Sequence, residues 1–331
     1  MSAADLNSDD DYDSVEQRDI ARQFRKELQE SEGFDCTVVP DEFDIGGFAV
    51  VDLEKHSNTA KEVEEFTIRA VKKINDKPGD RKLEFLRVLS ANLKLSPYFT
   101  LYVTLVAKDM SSGGEVVFQT KFYETLAGEL HVQIFRPKHD KSAVLIADES
   151  DSSNQQQASG ASDEIPLSMR SLITNVPSHF DKSIRKLDIA FKWMAANGLP
   201  SNHVPRDAMM NPGRIYLKSY VGEANMDETK LIRLLVKHPV IGVLRATRAF
   251  FKLKKQEIFE GAAENEAYTV HSLTVVGYGS SDDGRHYFLV ASNWGKEWAD
   301  DGCGRVMRKV SLPPGRSSIF THIYYPVISF R

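Results

Sequence analysis

Residues 271–306 read HSLTVVGYGSSDDGRHYFLVASNWGKEWADDGCGRV, and this stretch decides how the second half of the chain folds. His271 opens an apolar, β-branched run, Leu273-Thr274-Val275-Val276, which Gly277-Tyr278-Gly279 closes. The polar segment Ser280-Ser281-Asp282-Asp283-Gly284 follows, and then a second apolar run, Tyr287 to Ala291. Two such runs around an Asp/Gly-rich turn predict an antiparallel hairpin. An imidazole heads one strand. The other ends in a polar pair and a tryptophan, Ser292-Asn293-Trp294, with Gly295, Trp298 and Gly302 beyond.

This order resembles the C-terminal half of the papain-like cysteine peptidases. Their corresponding strands read roughly His-Ala-Val-x-x-x-Gly-Tyr-Gly and Asn-Ser-Trp-Gly-x-x-Trp-Gly. In that family a thiolate attacks an acyl carbon, a histidine shuttles the proton, and an asparagine amide holds the imidazole in its tautomer. His271 matches the histidine. Ser292 stands at the orienting asparagine's position, and Asn293 is displaced by one, a step that turns a strand side chain to the opposite face. Trp294, Gly295 and Trp298 match residues that pack the family's β lobe. The chain has two cysteines, and neither sits in the family's Gln-x(5)-Cys-Gly-Ser-Cys-Trp context. Cys303 lies past the tryptophans in Asp-Gly-Cys-Gly. Cys36 follows Gly33-Phe34-Asp35, has no tryptophan after it, and has Glu30 where the oxyanion-hole glutamine would stand. The resemblance therefore implies a vestigial His271 without its nucleophile, and no enzyme. Ser292 as a nucleophile lacks an evident oxyanion hole.

Length and composition fit two modest domains: 331 residues, 41% hydrophobic, 27% charged, formal charge −5. The acidic balance argues against nucleic-acid partners, which call for a basic face. No apolar run is long enough to span a membrane. The opening MSAADLNSDDDYDSVEQRD is acidic where a signal peptide is basic and apolar. With two cysteines, a reducing compartment, cytoplasm or nucleus, is the expectation. Nine histidines and two cysteines show no metal-ligand spacing, so neither a metal nor a cofactor is expected.

In chain order, residues 1–34 read as an acidic tail and an amphipathic helix. Ile20, Phe24 and Leu28 form a narrow stripe that either lies on the next domain or receives a partner. Residues 35–140 carry Gly46-Gly47, then a helix over 57–76 with Thr59 to Glu62 as a capping box. Strands follow over 83–95, 98–108 and 115–123, with 131–137 closing the sheet. In the middle strand Phe99, Leu101, Val103 and Leu105 face one way, and Thr100, Tyr102 and Thr104 the other. A helix on an antiparallel sheet is an α+β unit.

This unit resembles the plant cystatins and cystatin-related proteins in Gly46-Gly47, Leu83 to Val88 and Tyr102 to Ala107. Cystatins wedge an N-terminal glycine and two hairpins into a papain-like cleft. Here the hairpins read Lys94-Leu95-Ser96-Pro97-Tyr98 and Glu124-Thr125-Leu126-Ala127, without the family's glutamine, glycine or tryptophan. Gly46 and Gly47 are the inhibitory-like residues that remain.

Residues 141–164 read as a polar, low-complexity linker. Residues 165–331 read as a truncated papain-like β-barrel lobe preceded by the helix 187–197, which Gly198 stops. The basic run 252–255 reads as a solvated face. The whole predicts a non-catalytic pseudopeptidase fused to a degenerate cystatin-like domain. It would act through a protein partner, either a papain-like peptidase or a cystatin-like protein. The alternatives are a cystatin-type inhibitor and a residual cysteine peptidase.

Overall fold

The structure is a computed structural model that describes residues 15–38, 48–77, 82–95, 98–139, 187–200, 214–215, 217–314 and 317–328. Gly46 and Gly47, the acidic residues 1–14, the linker 141–164 and Ser96-Pro97 lie outside the described residues.

The first half is a five-stranded antiparallel sheet in chain order. Its strands are β1 (Phe48–Val51), β2 (Leu83–Leu95), β3 (Phe99–Asp109), β4 (Glu115–Glu124) and β5 (Leu130–Pro137). Helix α1 (Val15–Ser31) precedes them, and α2 (Ser57–Asn75) lies between β1 and β2. Val63, Phe66, Ala70 and Val71 of α2 recur at helical spacing and are buried. Phe66 meets Phe99 and Phe122 with ring centroids 6.3 and 6.2 Å apart.

Alternation in β3 predicts one buried and one open face, but almost every residue of the strand is buried. The second face is covered by α1 and the turn after it. Phe24 meets Phe48 at 5.5 Å, and Phe34 meets Tyr102 at 5.7 Å. Asn92 Nδ2 donates to the carbonyls of Gly33 and Phe34. Arg136 pairs with Glu32, and Lys138 with Asp35, each at 3.0 Å. The stripe on α1 thus lies on this chain's own sheet.

The capping box expected at Thr59 is not formed. His56 is the N-cap and offers no side-chain cap. Thr59 lies inside the first turn, where its Oγ1 accepts from the Ala267 amide at 2.8 Å, and Glu62 reaches Arg248. Partners from the other half of the chain have taken both side chains.

The second half opens with α3 (Leu187–Asn197) and the short pair β6 (Leu199–Pro200) and β7 (Arg214–Ile215). After α3 the chain turns at Gly198, whose φ is +66°. A seven-stranded sheet follows: β8 (Leu217–Ala224), β9 (Val240–Ala246), β10 (Ile258–Phe259), β11 (Thr269–Ser280), β12 (His286–Ala291), β13 (Cys303–Met307) and β14 (Phe320–Ile328). Its order is β10-β13-β12-β11-β9-β14-β8. The short helices α4 (Glu228–Leu235) and α5 (Arg248–Phe251) flank β9. The predicted hairpin is β11–β12, with a bulge between Val275 and Gly277. Strands β8 and β10 stand at opposite ends of the order, so the expected barrel is an open sheet in hydrogen-bonding terms. At two residues, β10 offers no ladder for β8 to close on. Helix α3 packs on β8 and β14 through Phe191, which stacks on Tyr220 at 5.1 Å. Among the described residues no helix is long and apolar enough to cross a membrane.

The two halves share one apolar cluster. Leu101, Phe122 and Val132 of the first belong to the same contiguous core as Leu244, Val275 and Trp298 of the second.

Candidate functional site

His271 is the third residue of β11 and pairs with Leu244 of β9. Its side chain points to the same side as Leu273 and Val275, the buried side of the sheet. Trp294 stacks on the imidazole, centroids 4.5 Å apart and planes 24° from parallel, and Phe250 approaches at 6.2 Å. Ser292 Oγ lies 3.4 Å from His271 Nε2, a long polar contact. Asn293 is exposed at the turn after β12 and is not among the imidazole's partners. With apolar rings around it, burial pushes the imidazole pKa down to about 4.

The turn holding Trp294 is built tightly. Gly295 and Gly302 have φ of +90° and +85°, a region that favours glycine. The Gly302 amide donates to Trp298 O. Trp298 is fully buried, donates Nε1–H to the Phe250 carbonyl at 3.2 Å and meets Trp294 edge to face.

Residues 194–327 match the family of papain family cysteine proteases. The C-terminal part is a papain-like C1 peptidase domain. It is 31% identical to zingipain-2 of Zingiber officinale over 121 residues, covering 37% of this chain and 53% of that protein. It is 27% identical to chymopapain of Carica papaya over 150 residues, 43% and 42% of the two. The chain thus spans about half, or less, of the length of these relatives. A bromelain protease from Ananas comosus, solved with the E64 inhibitor, is similar with a TM-score of 0.41. That likeness has 24% identity and covers 50% of this chain and 79% of the bromelain.

Neither thiol of the chain meets the histidine of the papain-like domain. Cys303 pairs with Ala291, and Ala291 pairs with Thr274. Residues directly opposite across antiparallel strands share a face. Thr274 is an odd number of residues from His271 and faces the other way, so Cys303 points away from the imidazole through the thickness of the sheet. Cys36 lies in the first half, buried beside Ser31, and burial pushes its thiol up to about 11. Two surface cavities, of about 260 and 690 Å³, are lined by other residues than His271 and Ser292. Cys303 lines the smaller, with Tyr278, Tyr287 and Arg305. Among the described residues no three His, Cys, Asp or Glu side chains come together in a way that could hold a metal ion.

Arg248 carries no assignment from the sequence, and Lys252 is read there only as part of a solvated basic run. Arg248 donates from Nε and Nη2 to both carboxylate oxygens of Glu124, at 3.0 and 3.1 Å, and from Nη1 to Glu62 at 3.0 Å. Lys252 donates to the carbonyls of Thr125 and Leu126 and pairs with Glu124 at 3.2 Å. The reading of 252–255 as a solvated face is corrected for Lys252 and for the buried Leu253. The one signal available was the spacing of Arg248 and Lys252, four apart, which puts both cations on one side of a helical turn.

Proposed function

We propose that this chain is a non-catalytic papain-like protein that acts through protein contacts. The single observation that carries this reading is the face of the sheet: the imidazole lies on one side and Cys303 on the other. Two further properties support it. A cysteine peptidase needs a thiolate beside an imidazolium. Here the half-buried histidine is held neutral, and Cys36, in the other half of the chain, is held as a thiol. Ser292 touches the imidazole through a single hydroxyl, a weaker orienter than an amide. The first half is read as a degenerate cystatin-like domain, a helix packed on an antiparallel sheet. The partner class is a papain-like peptidase or a cystatin-like protein, and two free cysteines suit a reducing compartment, cytoplasmic or nuclear.

The inhibitor reading competes with this one, and one observation weighs on it. The hairpin tip after Glu124, which a cystatin would insert into a cleft, already has its Thr125 and Leu126 carbonyls bound by Lys252 of the same chain.

A paired assay tests the proposal: hydrolysis of a fluorogenic peptide by the purified chain, and inhibition of papain on the same substrate. No turnover and no inhibition at micromolar protein is the expected result. Turnover abolished by Cys36→Ala or Cys303→Ala would overturn the reading in favour of a residual peptidase. Inhibition without turnover would replace it with the inhibitor.

A further inference from the structure

The larger of the two surface cavities, about 690 Å³, lies where the turn before α2, the end of β9 and the loop from β10 to β11 come together. Its volume is within the range of pockets that take small organic ligands. It is separate from the His271 site. Leu244 is directly opposite His271 and shares its face, so Arg245, one residue on, projects from the other face of β9. There the Arg245 guanidinium carbon lies 4.8 Å from the centre of the Tyr268 ring. A guanidinium held over a ring presents its fork of N–H donors at its edge, the geometry that grips a planar carboxylate with two bonds. The first half of the chain adds Lys55, which is exposed, and His56. His56 Nδ1 accepts from the Asp52 amide at 3.2 Å, so the neutral ring carries its proton on Nε2, as a donor. The loop contributes two carboxylates. Glu266 Oε2 accepts from the Ala263 amide at 3.1 Å while the Glu266 amide donates to the Ala263 carbonyl at 3.2 Å, a clasp that fixes where this carboxylate stands. Glu264 is exposed in the same turn.

The charges on the wall select the class of ligand. Two cations, Lys55 and Arg245, share the cavity with two carboxylates, Glu264 and Glu266. A simple anion such as phosphate gains from the first pair and is repelled by the second, and a simple cation meets the reverse. A molecule that carries both charges, held apart, gains from both. We propose that this cavity binds a short zwitterionic peptide, its α-carboxylate on Arg245 and Lys55, its α-ammonium at Glu264 and Glu266, and a backbone carbonyl on His56 Nε2. An extended tripeptide is about 10 Å long, which suits a cavity of this volume. Stacking on Tyr268 sets the position of Arg245 before the ligand arrives, and a preformed site loses little conformational entropy on binding. Because both halves of the chain supply walls, the site is complete only in the full chain. The inference concerns binding alone and is independent of whether the papain-like domain hydrolyses anything.

Isothermal titration calorimetry of the full-length chain, at two temperatures so that a small heat is not missed, tests it with three probes: tri-alanine with free ends, its N-acetyl form and its C-terminal amide. Tri-alanine is expected to bind, and each blocked form about tenfold or more weakly, the scale of one lost hydrogen bond to a charged group. Glu264→Gln, at an exposed loop position, should weaken tri-alanine several-fold and leave the N-acetyl form unchanged. Arg245→Gln should weaken tri-alanine and leave the amide unchanged. Absence of tri-alanine binding at millimolar concentration would overturn the proposal. So would blocked forms that bind as tightly as the free peptide, or an equal fall for the free and N-acetyl peptides in Glu264→Gln. Inorganic phosphate binding more tightly than tri-alanine would overturn it as well, because the cavity would then be an anion site. Titration reports binding and not turnover, so its failure is distinct from a failure of the peptidase assay.

Discussion

His271 and Trp294 lie nearly face to face, 4.5 Å between ring centroids, with Phe250 closing a further side. An imidazole in that position is worth more to the fold neutral than charged, which gives it a pH signature.

The folded pKa of about 4 lies below the ordinary value of 6.5. Between the two, the unfolded chain binds more protons than the folded one, so stability rises with pH. The contribution is fully present above pH 6.5 and is lost as pH falls towards 4, on the order of 3 kcal/mol in all. His56, whose pKa burial also lowers, adds in the same direction. Denaturant midpoints measured at pH 7.5 and pH 4.5 should differ accordingly, and His271→Phe should remove most of the difference. An unchanged pH dependence in that variant would show that His271 is not the group responsible.

The two thiols should react in a set order. With its pKa raised to about 11, Cys36 is ionised at pH 7.5 to only about one part in a few thousand, and it is buried. Cys303 is partly exposed at a cavity. Iodoacetamide should modify Cys303 in the native chain and reach Cys36 only after denaturant is added. Native labelling of Cys36 at or above the rate in the unfolded chain would reverse the assignment and revive the residual-peptidase reading.

Gly304 has no room for a side chain. A Cβ there would lie 2.5 Å from Trp298 and 3.0 Å from Leu253. Because Trp298 is itself buried and tied to the Phe250 carbonyl, it cannot move aside at little cost. Gly304→Ala should destabilise the chain by about 1–3 kcal/mol, the usual range for overpacking a dense core. Thermal unfolding followed by tryptophan fluorescence measures it.

Glu124 is nearly buried and serves two cations. Glu124→Gln keeps the shape but removes the charge, and should cost about 2 kcal/mol, the scale of a hydrogen bond to a charged group. In a double-mutant cycle with Arg248→Ala the two costs should be strongly non-additive. Additivity within the error of the denaturation curves would show that the pair is not coupled.

Much of the architecture was legible locally. The alternation of β3 and the Asp/Gly turn between β11 and β12 each follow from neighbours a few residues apart, and both elements lie where the sequence puts them. So does the step between Ser292 and Asn293: period-two geometry alone says that only one of the two can face His271, and Ser292 is the one in contact. The motif from His271 to Trp298 likewise marks the papain-like domain in the sequence itself. Other features had no local signature. The partners of Arg248 lie 124 and 186 residues away, and the amide that takes Thr59 is 208 residues away. A capping box is a plausible local solution for Thr59 and Glu62 until distant groups compete for them. The burial of both faces of β3 depended on α1 folding back over it. The opposition of Cys303 and His271 depended on the register of three strands. Local periodicity determined which segments form strands and helices, because each residue's backbone preference and face are set by its neighbours. The tertiary structure alone decided which charged and polar groups meet, because that depends on chain segments brought together from far apart, which no local pattern encodes.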